Sequence, residues 1–201
     1  MERGRSSTEF ITKIHEEIRG YSSFGYQKLS DSTELISHLS WLGKLAWSFD
    51  IYSPVQDDEL SELLKEMEVP EEYISFLKKN NGLSLFYGSI SLGGYQNLKS
   101  STRDWRHQPV HLRLYNVAQR SPLLDEGYFC IGVYRFDVSE IYICWDSREV
   151  VHASRRKAPM EILARWKDFE EFLSTEFNRL QKLADERGYI KDMSLTLPPR
   201  S

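Results

Sequence analysis

The sequence is short of the residues and runs that mark the most recognisable protein classes. It holds only two cysteines, Cys130 and Cys144, too few for a zinc cluster or a disulfide framework. No apolar stretch approaches the roughly 20 residues that a helical membrane span needs, and the opening MERGRSSTEF leads into no apolar run of the kind a secretory signal or anchor carries. A cytoplasmic protein without membrane contact is therefore expected. Charge of one sign is not in large excess either: the formal net charge is −4, which favours solubility and argues against a phosphate-coated partner held by electrostatics, so nucleic acid is not expected. Internal repeats and low-complexity tracts are missing, as is a G-x-S-x-G nucleophile elbow. The glycines of YGSISLGGY lack both the G-x-G-x-x-G spacing and a Lys-Ser/Thr ending, so they mark turns rather than a phosphate cradle.

What is present is enough for one domain with its own core. The chain has 201 residues, 40% of them hydrophobic, and a domain of roughly 150 residues already buries about 70% of its unfolded surface. Phe10, Ile11, Ile14 and Ile18 recur at helical spacing and predict a helix near Thr8 to Arg19 ended by Gly20; Tyr21 to Ser30 reads as a connector. Asp31 followed by Glu34 resembles a capping box, and Leu35, Leu39, Leu42, Ala46 and Phe49, widened by Trp41 and Leu45, draw one apolar stripe, so a helix is expected there, closed by Pro54. Asp57 or Asp58 can cap a short helix carrying Leu60, Leu63, Leu64 and Met67. Pro70 suits a first helical turn, Tyr73, Phe76 and Leu77 form its buried side, and Asn80-Asn81-Gly82 supplies a left-handed stop.

From Leu83 the period changes. LSLFY and SISL predict short strands around Gly88 and Gly93-Gly94, a polar connection runs through Arg103 to His107, and Val110 to Tyr115 reads as a further strand. GYFCIGVY and EIYICWD form the clearest hairpin, centred near Asp137. The expected register sets Phe129 against Trp145, Ile131 against Ile143 and Val133 against Ile141, all on one apolar face. Tyr128, Cys130, Tyr134, Tyr142, Cys144 and Asp146 then share the other, with Cys130 opposite Cys144. Two reduced thiols are expected there rather than a disulfide. Val150 and Val151 begin another strand, and a helix is expected from Ala164 to Arg187, stopped by Gly188 and followed by a loose tail through Pro198-Pro199. Helices, then consecutive strands, then a helix predict an α+β fold with an antiparallel twisted sheet and helices mainly on one face. Its parts would be residues 1–30 (helix and connector), 31–187 (the α+β domain) and 188–201 (tail).

Chemical constellations are sparse. His107 and His111 have the spacing of helical zinc ligands, but Pro109 lies between them and no Glu fills the catalytic slot; they read as loop histidines, and no metal or cofactor is expected. The acids Asp57, Asp58, Glu59, Glu62, Glu66, Glu68, Glu71 and Glu72 can attract a basic partner, although acids near helix starts on a solvated face explain them as well. Glu149, Glu161, Asp168, Glu170 and Glu171 interrupt the basic run Arg155-Arg156-Lys157 with Arg165 and Lys167, which leaves a solvated surface. Tyr87, Tyr95, Trp105, Tyr134, Tyr142 and Trp145 do not all fit one buried face, and exposed aromatics often anchor protein interfaces.

Several of these segments resemble the SUKH superfamily, the group that includes fungal cell-wall-synthesis regulators of the Smi/Knr type and many bacterial immunity proteins. VPEEYISFLKKNNG (Val69 to Gly82), LSLFYG, YFCIGVY, IYICWD and ARWKDFEEFLSTEF carry the likeness, which spans approximately Thr33 to Leu180. Leu83 stands where the family often has a glycine. The resemblance implies a non-enzymatic protein-binding domain, with an immunity protein that neutralises a cognate toxin, often a nuclease, as the leading expectation. A regulatory scaffold of the Smi/Knr type is the second reading, and a metal-dependent hydrolase using His107 and His111 a remote third. The expected contact residues are Tyr95, Asp104, Trp105, Tyr134, Asp137, Tyr142 and Asp146, on the polar-aromatic face of the sheet and its loops.

Overall fold

A computed structural model describes residues 3–97, 105–119, 122–154 and 161–199. Its centre is a nine-stranded sheet in which every strand pairs antiparallel with its neighbour in sequence. The strands are β1 (Tyr26–Lys28), β2 (Glu34–His38), β3 (Trp47–Ile51), β4 (Leu83–Leu85), β5 (Ile90–Leu92), β6 (Tyr128–Tyr134), β7 (Ser139–Cys144), β8 (Val150–Ser154) and β9 (Glu161–Trp166). The helices are α1 (Arg3–Arg19), α2 (Asp57–Glu66), α3 (Glu71–Leu77), the short α4 (Pro122–Asp125) and α5 (Phe169–Leu183).

The main core lies between one face of the sheet and the helices. Ile11, Ile14 and Ile18 of α1, Leu60 and Leu63 of α2, Tyr73, Phe76 and Leu77 of α3, and Phe172, Leu173, Phe177 and Leu180 of α5 all join it. The helices start where their backbone donors are satisfied. Gln56 and Glu59 form a reciprocal capping box at α2, Pro70 precedes α3, and the Asp168 carboxylate accepts the Glu171 amide at 2.8 Å at α5. The α+β fold, with helices mainly on one face, is as expected. The reverse face is not bare, however: Tyr115 and Leu123 cover Cys130, Tyr142, Val151 and Ala153 in a second cluster.

Four expectations need correction. The helix anticipated after Asp31 is the β2–β3 hairpin. The Asp31 carboxylate accepts the Thr33 amide at 2.9 Å in a tight turn instead of capping a helix, and Glu34 turns to Arg19, with contacts of 2.6 and 2.9 Å. Residues of β2 are buried on both faces, so the alternation that would have marked a strand is lost. Residues 110–115 form no strand; a single bridge joins Gly94 to His111, and a π-type turn follows at Leu114–Ala118. Helix α5 begins at Phe169 rather than Ala164, because residues 161–166 pair with β8 as an edge strand.

The fourth correction concerns the β6–β7 hairpin, which forms but in a different register. Phe129 faces Ile143, Cys130 faces Tyr142, and a bulge between Cys130 and Gly132 then brings Gly132 against Ile141 and Tyr134 against Ser139. Ile131 and Gly132 thus point successively towards the helices, which sends Tyr134 inward and Val133 outward. Glycine permits this backbone path: a Cβ on residue 132 would lie 2.3 Å from the Ser91 carbonyl oxygen of β5. Cys130 and Cys144 are not opposite one another, and no disulfide joins them. Beyond α5 the chain returns to the body, with Ile190 and Thr196 buried and the Leu195 and Thr196 carbonyls accepting from Arg179.

Candidate protein-binding surface

The expected contact residues do not converge. Tyr134 is 0% exposed in the main core, its hydroxyl donating to Glu176 at 2.8 Å. Tyr142 is also 0% exposed and donates to the buried Glu140 beneath the second cluster. Both were expected on an open sheet face; the bulge turns Tyr134 to the helix side and the segment carrying Tyr115 and Leu123 covers Tyr142, so neither is a surface contact. Asp137 closes the β6–β7 turn by accepting the Ser139 amide at 2.9 Å, whereas exposed Asp146 lies in the β7–β8 turn at the opposite end of the strands. Tyr95 follows β5, where Asn81 grips its backbone N–H and carbonyl, each at 2.6 Å. Trp105 opens a short 3-10 turn, Trp105–His107. Asp104 lies outside the described residues.

Tyr95 stacks edge-on against His111 at 5.2 Å, beside an open cleft of about 370 Å³ lined by residues that include Gln108, His111, Arg113 and Leu114. Burial keeps the His111 imidazole below its usual pKa, so at neutral pH Arg113, 3.6 Å away, is the cation facing Glu66. The imidazole Nδ1 accepts the Arg113 amide, which commits one potential metal-binding nitrogen to the backbone. Among the described residues no group of three His, Cys, Asp or Glu could hold a metal. A Ser139–His152 contact of 2.6 Å exists, but both residues are buried, out of reach of a substrate.

A different surface emerges from topology. Because successive strands alternate in direction, the β2–β3, β4–β5 and β6–β7 turns all lie at one end of the sheet. Large apolar side chains stand in solvent there: Trp41 is 52% exposed, Leu45 54%, Phe136 48% and Val138 61%. They flank a continuous belt of aromatic rings and guanidinium groups. Trp41 meets Tyr189 edge-on at 5.8 Å, Tyr189 meets Tyr87 at 6.3 Å, and Arg135 lies over the Tyr87 ring at 4.3 Å. At the other end Arg187 lies over Phe24 at 5.1 Å and over Trp41 at 5.5 Å. Exposed apolar clusters rich in Trp, Tyr and Arg are the composition of protein contact surfaces.

Of the belt residues only Tyr87 was singled out from sequence. Trp41 and Leu45 had been placed in a buried helical stripe, and Arg187 at the end of a helix. The overlooked signal was Gly43, whose φ of 134° marks a loop inside SWLGKLAW.

Among the described residues no helix is long and apolar enough to cross a membrane. Comparison with curated proteins and with solved structures gives no match. The model of the SMI1 / KNR4 family (SUKH-1) matches residues 54–175, from the approach to α2 into α5 and more than half of the chain. Together with the helix-lined antiparallel sheet, that match establishes that the chain belongs to the SMI1 / KNR4 family (SUKH-1).

Proposed function

We propose that the chain is a non-enzymatic protein-binding domain of the immunity type, which neutralises a cognate toxin by docking on it through the belt. The observation that carries this reading is the placing of exposed Trp41, Leu45, Phe136 and Val138 on two turns at the same end of the sheet, one on each side of the β4–β5 turn. Turn tips on a rigid sheet present such side chains with little loss of backbone freedom on binding. Membership of the family supports a binding role, and the buried positions of Ser139 and His152 place the one Ser–His contact described above away from any substrate.

The test is co-expression with the toxin encoded beside the gene. Wild-type chain should rescue growth and co-purify with the toxin, and Trp41→Ala with Leu45→Asp should lose both while keeping the wild-type melting temperature, since these side chains are exposed. Unchanged rescue by that folded double variant would exclude the belt as the contact surface.

A further inference from the structure

We infer that Arg187 is a preorganised receptor for a carboxylate on the partner protein, an Asp or Glu side chain seated among apolar neighbours. The inference rests on the belt being the contact surface and adds the chemistry of what the belt receives.

The position of Arg187 is built rather than incidental. Its carbonyl accepts the hydroxyls of Ser37 and Ser48, each at 2.6 Å, and both serines are fully buried. Its amide donates to the Asp185 carboxylate at 2.9 Å. The next residue is held equally firmly: Gly188 has φ of 73°, and a Cβ there would lie 2.6 Å from the Phe49 ring. The backbone at 187 is thus locked to β2 and β3, and the side chain is aimed between Phe24 and Trp41.

A guanidinium stacked on rings keeps its in-plane N–H donors available, and that fork matches a carboxylate bidentately. Among the described residues Arg187 has no carboxylate partner, and its guanidinium lies over the two rings. Arg135 stands in the same condition, its guanidinium bonded to the Tyr87 carbonyl at 2.8 Å and stacked on that ring. The nearby acids Asp137 and Asp185 accept backbone amides of their own turns. Other arginines of the chain, Arg19, Arg165 and Arg179, are paired with Glu34, Glu149 and Glu176. Cations without acids, towards the two ends of an exposed apolar belt, are complementary to a partner surface carrying acids among apolar side chains.

A random dodecamer peptide library displayed on phage and selected on the full chain supplies the probe. Selected peptides should carry Asp or Glu beside Leu, Phe or Trp. A synthetic selected peptide should bind Arg187→Gln about 10- to 100-fold more weakly than wild type, with Arg187→Lys intermediate because it keeps the charge and loses the fork. Replacing the peptide's acid by its amide should weaken binding to wild type but not to Arg187→Gln, a coupling that a merely misfolded variant would not show. Selected peptides without acids, or equal loss on both backgrounds, would overturn the inference. If Leu45→Asp abolishes binding and Arg187→Gln does not, the belt stands and the carboxylate assignment falls; if neither variant matters, the proposed surface falls as well. A single-stranded oligonucleotide that displaces the peptide would identify the anion as phosphate and overturn the proposal too.

Discussion

Asp50 and His15 give the chain two buried groups whose titrations oppose one another. Asp50 keeps some exposure as a residue, but its Oδ1 is shut off from solvent without a partner. Burial pushes its carboxyl up from 3.8 to about 7, the Tyr52 hydroxyl opposing. Between those values the folded state holds the extra proton, so this group's contribution to stability falls as pH rises from about 4 to 7. Burial, reinforced by Arg19, lowers His15 from 6.5 to about 4; there the unfolded chain holds the extra proton, and stability rises with pH through the same interval. The wild-type profile should therefore be comparatively flat, and Asp50→Asn should uncover the rising limb of His15. Above pH 7 the variant should exceed wild type by about 1–3 kcal/mol, the scale of an unpaired buried polar group. Urea unfolding at pH 4.5, 6 and 7.5 measures this, and parallel curves for variant and wild type would show that Asp50 stays ionised in the fold.

The β6 bulge makes a sharper demand on a single element. Gly132→Ala sets a methyl against the Ser91 carbonyl, with Leu92 Cα at 3.1 Å on the same side, so β5 or β6 must move. A loss of about 2–4 kcal/mol is expected, to be read from the shift in the urea midpoint; a shift near zero would mean that the two strands separate readily. The same bulge shows where sequence reasoning stopped. Residues 128–134 and 139–144 were legible as partners because aromatic and β-branched residues surround a turn. The register was not, because it includes a bulge between Cys130 and Gly132 that strict alternation along the two strands does not announce. Helices α1, α2 and α3 were readable from one-sided apolar stripes, although the cap of α2 is Gln56 rather than the expected Asp57 or Asp58. Strands β2 and β3 were missed because burial on both faces leaves no alternation, and that error hid Trp41 and Leu45 inside a supposed core. Tyr134 and Tyr142 were misjudged for related reasons: the bulge inverts one, and the segment carrying Tyr115 and Leu123 covers the other.

At the level of the whole molecule, the family match begins at residue 54, yet the packing does not. Phe49 on β3 meets Phe86 at 5.0 Å and Tyr21 at 4.9 Å, and Ile18 of α1 is fully buried in the main core. A chain starting at Pro54 would lose these contacts and bare the backbone edge of β4. It should show no cooperative thermal transition by circular dichroism and should sediment as aggregates; a monomer with a cooperative melt would show that the matched segment folds by itself. The sequential strand order also bears on synthesis. Since each strand's predecessor is already one of its neighbours, a nascent chain leaving the ribosome can add strands in turn without threading any of them between two others. Part of its apolar roof is delayed: α1, α2 and α3 precede β4, but Phe172, Phe177 and Leu180 belong to α5 and emerge only after β9. The sheet is thus complete before the last of its covering helices is made, and the interval of greatest exposure to chaperones and to misassembly falls between the synthesis of β9 and that of α5.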